Sequence, residues 1–170
     1  NLVTIAPNFP AHKEAVLKSK APVVIFAGNF PKKNDVAQVK AAGKKAISFA
    51  STDSIADQMV RFGVDALILE GSEAGGHIGH VSLMILLQQV LFKKPDVPVF
   101  VAGGIATGRM IAHMLLMGAA GVQMGTRFVM SEECTAHPNL KARFVKARAR
   151  EAMSTPEYDK RLPIVAVRAL

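Results

Sequence analysis

The chain holds 170 residues in 18.1 kDa, half of them apolar, 20% charged and 6% aromatic, with a net charge of +8 and one cysteine. This composition is globular, which excludes a disordered, collagen-like or low-complexity chain, and the single Cys134 excludes an internal disulfide framework and fits a reducing compartment, the cytoplasm. The longest apolar stretches run to about eight residues, short of the roughly 20 that a membrane-spanning helix needs, and no signal-peptide pattern opens the chain.

In chain order, residues 2–5 read as a strand, and β-branched or small apolar runs recur at 23–27, 46–50, 66–69, 97–101 and 120–124. Helical periodicity fills the gaps. Ser54 to Phe62 sets Ile55, Met59 and Phe62 on one face. Ser82 is placed to cap a helix carrying Leu83, Leu86, Leu87, Val90 and Leu91, which ends before Pro95. Thr107 caps another, with Met110, Ile111, Met114 and Leu115 expected to face inward. Gly43, Gly63 and Gly118 each close a helix just ahead of the next strand. A last helix is expected from Pro138 to about Met153.

Strands that are apolar throughout are expected to be buried on both faces of a parallel sheet. Two architectures compete, an open doubly wound sheet and a closed (β/α)₈ barrel. No G-x-G-x-x-G follows an early strand, which weighs against the open sheet as a dinucleotide binder. The expectation is an α/β TIM barrel fragment with about the last six of eight βα units. The chain opens on Asn1 already in a strand and stops within an apolar run from Pro163, so a polypeptide longer at both ends is expected, its first two strands before Asn1. Residues 1–137 would form the barrel portion. Residues 138–170 would form a basic helix and the start of a further segment.

Between Lys141 and Arg168 stand eight basic residues against three acidic ones. A nucleic-acid binder would pair such charge with stacking aromatics, yet Tyr158 is the only Tyr and Trp is absent. A solvated helix face is the favoured reading, with neither nucleic acid nor membrane as partner.

Chemistry in parallel α/β folds gathers where strands end in loops. Three loops are unusual. Residues 70–80 read E-G-S-E-A-G-G-H-I-G-H, residues 102–108 read A-G-G-I-A-T-G, and residues 123–128 read Q-M-G-T-R-F. The last two follow the final strands, where main-chain N–H groups of Gly103, Gly104, Gly125 and Thr126 suit a phosphate better than they suit simple tight turns. Glu73, His77 and His80 have spacings that would align metal ligands on a helix, but Gly75, Gly76 and Gly79 break that helix, so no metal is expected. His77, beside glycines at a strand end, reads as an acid or base facing a ligand. His113 reads as a surface or packing residue, and Cys134 near His137 as a small structural thiol.

The motifs E-A-G-G-H at 73–77, A-G-G-I at 102–105, G-T-R-F at 125–128 and A-H-P at 136–138 together resemble the nitronate monooxygenase family and its relative, FMN-dependent enoyl-ACP reductase II. The resemblance implies a TIM barrel holding FMN non-covalently, with His77 as the catalytic histidine. It implies flavin contacts at Asn1, Glu70, Gly75 and Gly76, and a phosphate end held by Gly103, Gly104, Gln123, Met124, Gly125 and Thr126. Many nitronate monooxygenases have Gln in place of Glu70 and Arg in place of Ile78, so this loop reads closer to the reductase.

The implied activity is oxidation of alkyl nitronates or nitroalkanes with O₂, His77 acting as base. The alternative is reduction of an enoyl thioester by NAD(P)H. Further alternatives are a non-catalytic flavin- or phosphate-binding module and a flavin-free sugar-phosphate isomerase or lyase on the same barrel. The oligomeric state is left open, a homodimer among the options.

Overall fold

The computed structural model describes residues 1–93, 95–155 and 167–169. Residues 156–166, which include Tyr158, Lys160, Arg161 and the start of the apolar run at Pro163, lie outside them. Six strands form one parallel sheet: β1 (Leu2–Val3), β2 (Val23–Ala27), β3 (Lys45–Ala50), β4 (Ala66–Glu70), β6 (Val99–Ala102) and β7 (Gly121–Gln123). A short strand in a loop, β5 (Gly76–His77), stands apart. The helices between the strands are α1 (Phe9–Lys18), α2 (Lys33–Ala41), α3 (Asp53–Phe62), α4 (Leu83–Leu91) and α5 (Gly108–Leu116).

Two observations decide between the competing architectures. The strand order is sequential, β1-β2-β3-β4-β6-β7, with every pairing parallel. A doubly wound sheet would reverse its order at a switch point. The helices also pack on one face only: Val36, Val39, Ala56, Met59, Leu83, Leu86, Leu87 and Met114 join Val24, Phe26, Ala46, Leu67, Leu69 and Val101 in one core cluster. Strands in chain order with an outer helix layer are the arrangement of a TIM barrel, present here as a partial one.

Along β4 all but Glu70 are buried and along β6 all but Phe100, whereas β2 and β3 bury alternate residues. Their second face carries Ile25, Ile47 and Phe49, each half-buried because no helix among the described residues covers it.

Several boundaries differ from the sequence expectation. The first strand stops at Val3, and Ile5 already lies in a turn. The strand expected from 97 begins at Val99, since Pro98 has no N–H to give to a ladder, although its carbonyl accepts the Leu67 N–H at 3.0 Å. The strand expected over 120–124 spans Gly121–Gln123. Leu115 is 48% exposed, since α5 packs on β7, the edge strand, with no further helix beyond it among the described residues. Thr52 and Thr107 cap α3 and α5 through their hydroxyls, whereas Ser82 makes no such bond to α4.

The basic helix is shorter than expected. After α6 (Thr126–Val129), helix α7 runs over Pro138–Lys146 and stops at Ala147, whose ψ of 140° is extended. The Glu151 carboxylate accepts the Arg148 N–H at 2.7 Å and organises a 3₁₀ turn over Ala149–Glu151. Strand β8 (Met153–Thr155) follows, and it pairs antiparallel with β9 (Val167–Ala169). Strand β9 in turn pairs with β5, so this small sheet reaches across the boundary expected after residue 137.

No helix among the described residues is long and apolar enough to cross a membrane.

Candidate active site

The loop after β4 is built by close packing at its base. The Ser72 N–H donates to the Val81 carbonyl at 2.9 Å, drawing the two ends of the loop together. A Cβ on Gly71 would lie 2.4 Å from the Leu83 main-chain nitrogen, so only glycine lets the start of α4 approach this closely. The Glu73 carboxylate then accepts the Leu83 N–H at 2.8 Å. Glu73 therefore supplies the cap expected of Ser82, from the other end of the loop. Ala74 and Ile78 are buried against each other as a separate small core inside the loop.

Past that core the chain extends as β5, where Gly76 pairs with Arg168 and His77 with Val167. This pairing fixes the histidine's backbone from a segment some ninety positions away in sequence, Val167 against His77. The His77 Nε2 is buried and has no hydrogen-bond partner among the described residues. An orphaned buried ring nitrogen is costly, and groups of this kind cluster at functional sites.

Glu70 ends β4 on the same side of the sheet. Burial pushes its carboxyl up to about 7, because removal from water disfavours the charged form.

Two clefts meet here. The first, of about 400 Å³, is lined by Glu70, Gly75, Gly76 and His77 together with Asn29, Phe30, Phe49 and Ser51 from the ends of β2 and β3. The second, of about 550 Å³, is lined by Gly103, Gly104, Gln123, Met124, Gly125 and Thr126, with Arg127 and Phe144 beside them. Glu70, Gly75 and Gly76 belong to both. These volumes are those of small-molecule sites.

The second cleft fits a phosphate-bearing group. Gly103 and Gly104 have φ of +111° and +66°, and no main-chain hydrogen bond among the described residues uses their N–H groups. Gly75 and Gly125 have open space where a Cβ would stand. The start of α5 offers less than its sequence suggests, since the Thr107 hydroxyl already accepts the Met110 N–H at 3.3 Å.

Of the site residues expected from sequence, all but one line these clefts. Asn1 stands exposed ahead of β1 and lines neither. His80 and His113 are exposed. His137 caps α7, its Nδ1 accepting the Asn139 N–H at 3.2 Å, and Cys134 is half-buried. The contributors that sequence reasoning missed are Asn29, Phe30, Phe49 and Ser51. Their signal was faint: only the Gly28-Asn29 step after an apolar run marked a strand-to-loop turn.

The fold is that of part of a β/α barrel, and its two clefts lie over the carboxyl ends of the strands. Residues 3–161 match the family model described as nitronate monooxygenase, and the chain belongs to that family. It is 37% identical over 159 residues, 94% of its own length and 44% of the relative's, to a Rhodococcus jostii (3aS,4S,5R,7aS)-5-hydroxy-7a-methyl-1-oxo-octahydro-1H-indene-4-carboxyl-CoA dehydrogenase. It is 30% identical over 173 residues to a probable nitronate monooxygenase of Staphylococcus aureus, covering 94% of this chain and 48% of that protein. The chain thus spans about half the length of the curated relatives it matches.

Among solved structures, FabK from Thermotoga maritima superposes with a TM-score of 0.91 at 37% identity, over 100% of this chain and 53% of that one. Nitroalkane oxidase from Streptomyces ansochromogenes superposes with a TM-score of 0.73 at 34% identity, over 79% of this chain and 42% of that one.

Proposed function

We propose that this protein is an FMN-dependent oxidoreductase that oxidises alkyl nitronates and nitroalkanes with O₂, with His77 as its base. The observation that carries the reading is the buried Nε2 of His77, unpartnered among the described residues and directly after the two glycines shared with the phosphate-type cleft. FMN, when bound, supplies the redox chemistry. The residues of the chain do the rest. Gly103, Gly104 and residues 123–126 would hold the phosphate end, while Gly75 and Gly76 leave room for a flat ring beside Glu70. A carbon acid next to a nitro group gives up its proton readily, and the Nε2 lone pair is the acceptor the site offers it. Phe30 and Phe49 add an apolar wall to the cleft beside His77.

A second reading, reduction of an enoyl thioester by NAD(P)H, is favoured by a specific observation. The superposition on FabK takes in the whole chain, whereas that on nitroalkane oxidase takes in 79%. Glu70 and Ile78 in the histidine loop agree with it. One experiment separates the two. The full-length protein with a nitronate and no NAD(P)H consumes O₂ under the first reading. Under the second it leaves O₂ untouched and oxidises NAD(P)H only when an enoyl thioester is present. In the first case His77→Ala should lower turnover of neutral nitroalkanes by about 10²–10⁴-fold while FMN stays bound; full activity in that variant would overturn the role of His77.

A further inference from the structure

Glu70 is the only carboxylate among the described residues that lines both clefts. It stands at the end of the central strand β4, where its direct partner on β6 is Ala102. On the β3 side the ladder pairs Ala50 with Leu69, which leaves Ser51 next to Glu70 in register. Neither neighbour carries charge. The other titratable groups facing the clefts are His77 in the first and Glu73 and Arg127 in the second. Glu73 is engaged by the Leu83 N–H. Arg127 is exposed and makes no ion pair among the described residues. Glu70 itself enters no ion pair and no side-chain hydrogen bond among the described residues.

A carboxylate withdrawn from water without a cation or N–H donor favours its neutral form. The neutral form has an O–H to give. An isoalloxazine edge offers carbonyl and ring-nitrogen acceptors, and the attached phosphate is an anion. An ionised Glu70 would present those acceptors with a lone pair and that phosphate with a like charge.

We propose that Glu70 is a proton-coupled positioning residue: as a neutral acid it donates its O–H to the flavin shared between the two clefts, so that FMN binding carries one proton with it. The inference rests on the flavin reading above. Its sign follows from linkage: a ligand that binds the protonated form raises the residue's affinity for its proton, so FMN affinity is flat in acid and falls as the free site ionises. The carboxyl of the free site titrates at about 7, which places the fall above neutrality.

The test is FMN affinity of the full-length apoprotein, read by flavin fluorescence from about pH 6 to about pH 8, for wild type and Glu70→Gln. The amide keeps a donor and cannot ionise. Wild type should weaken about tenfold across that range relative to E70Q. Calorimetry of the wild type near pH 8, in buffers of different ionisation enthalpy, should show uptake of about one proton per FMN; the phosphate of FMN is already a dianion there and takes up none. Parallel pH profiles for the two proteins, or no proton uptake by the wild type, would overturn the proposal and leave the flavin reading standing. FMN binding at no pH would overturn both.

Discussion

At the scale of single residues, the histidine loop depends on two that hold its base together. Glu73 holds the Leu83 N–H at the start of α4, and Gly71 makes room for that helix end. Glu73→Ala should cost about 1 kcal/mol, the usual loss of an N-terminal cap. Gly71→Ala should cost more, because the added Cβ would sit 2.4 Å from a main-chain nitrogen that cannot swing aside. Thermal unfolding of the two variants gives the order, and a Gly71→Ala protein as stable as wild type would sink this packing argument. Both residues were conspicuous in the sequence, as part of E-G-S-E-A-G-G-H. Their roles were not legible there, because capping from ten positions upstream is a contact between loop ends that no local pattern encodes.

At the scale of elements, β5 and the lower face of the sheet carry the consequences. Strand β9 lies between β5 and β8, so each of its residues serves a ladder on one side or the other. Proline at Val167 removes one of those donors. We expect Val167→Pro to leave the parallel sheet intact while speeding proteolysis near Gly75–Gly76 and lowering turnover; unchanged proteolysis would refute a holding role for the β5–β9 pairing. At the amino ends of the strands, Asp65 accepts the Ala46 N–H at 2.9 Å and pairs with Lys40 and Lys45. Burial there raises the Asp65 pKa, but the Ala46 N–H and the two lysines outweigh it, and the net shift is downward. A lowered carboxyl contributes stability above its ordinary pKa of about 4 and loses it as pH falls through the native value. The stability gap between wild type and Asp65→Asn should accordingly be open near neutrality and close below about pH 4, as urea melts at the two pH values would show. The helix expected over 138–153 failed at Ala147 for an element-scale reason: Glu151 reaches back to the Arg148 N–H and starts a new turn.

At the scale of the molecule, the sheet's sequential order puts the ends of β2, β3, β4, β6 and β7 side by side, and that alone turns five separate loops into two adjoining clefts. Glu70 lies where they meet, and the chemistry proposed for the site, a base at His77 and a titrating acid at Glu70, follows from that position. By itself the sequence determined the βα alternation, the three glycine-rich loops and the family, and it singled out His77 as a candidate, since all of these are written in local periodicity, turn residues and short motifs. Only the tertiary structure decided that the helices cover one face, that His77 is paired by β9 with its Nε2 unpartnered among the described residues, and that burial raises the Glu70 carboxyl. Those depend on which distant segments meet, and burial and long-range strand pairing exist only once the chain has closed upon itself.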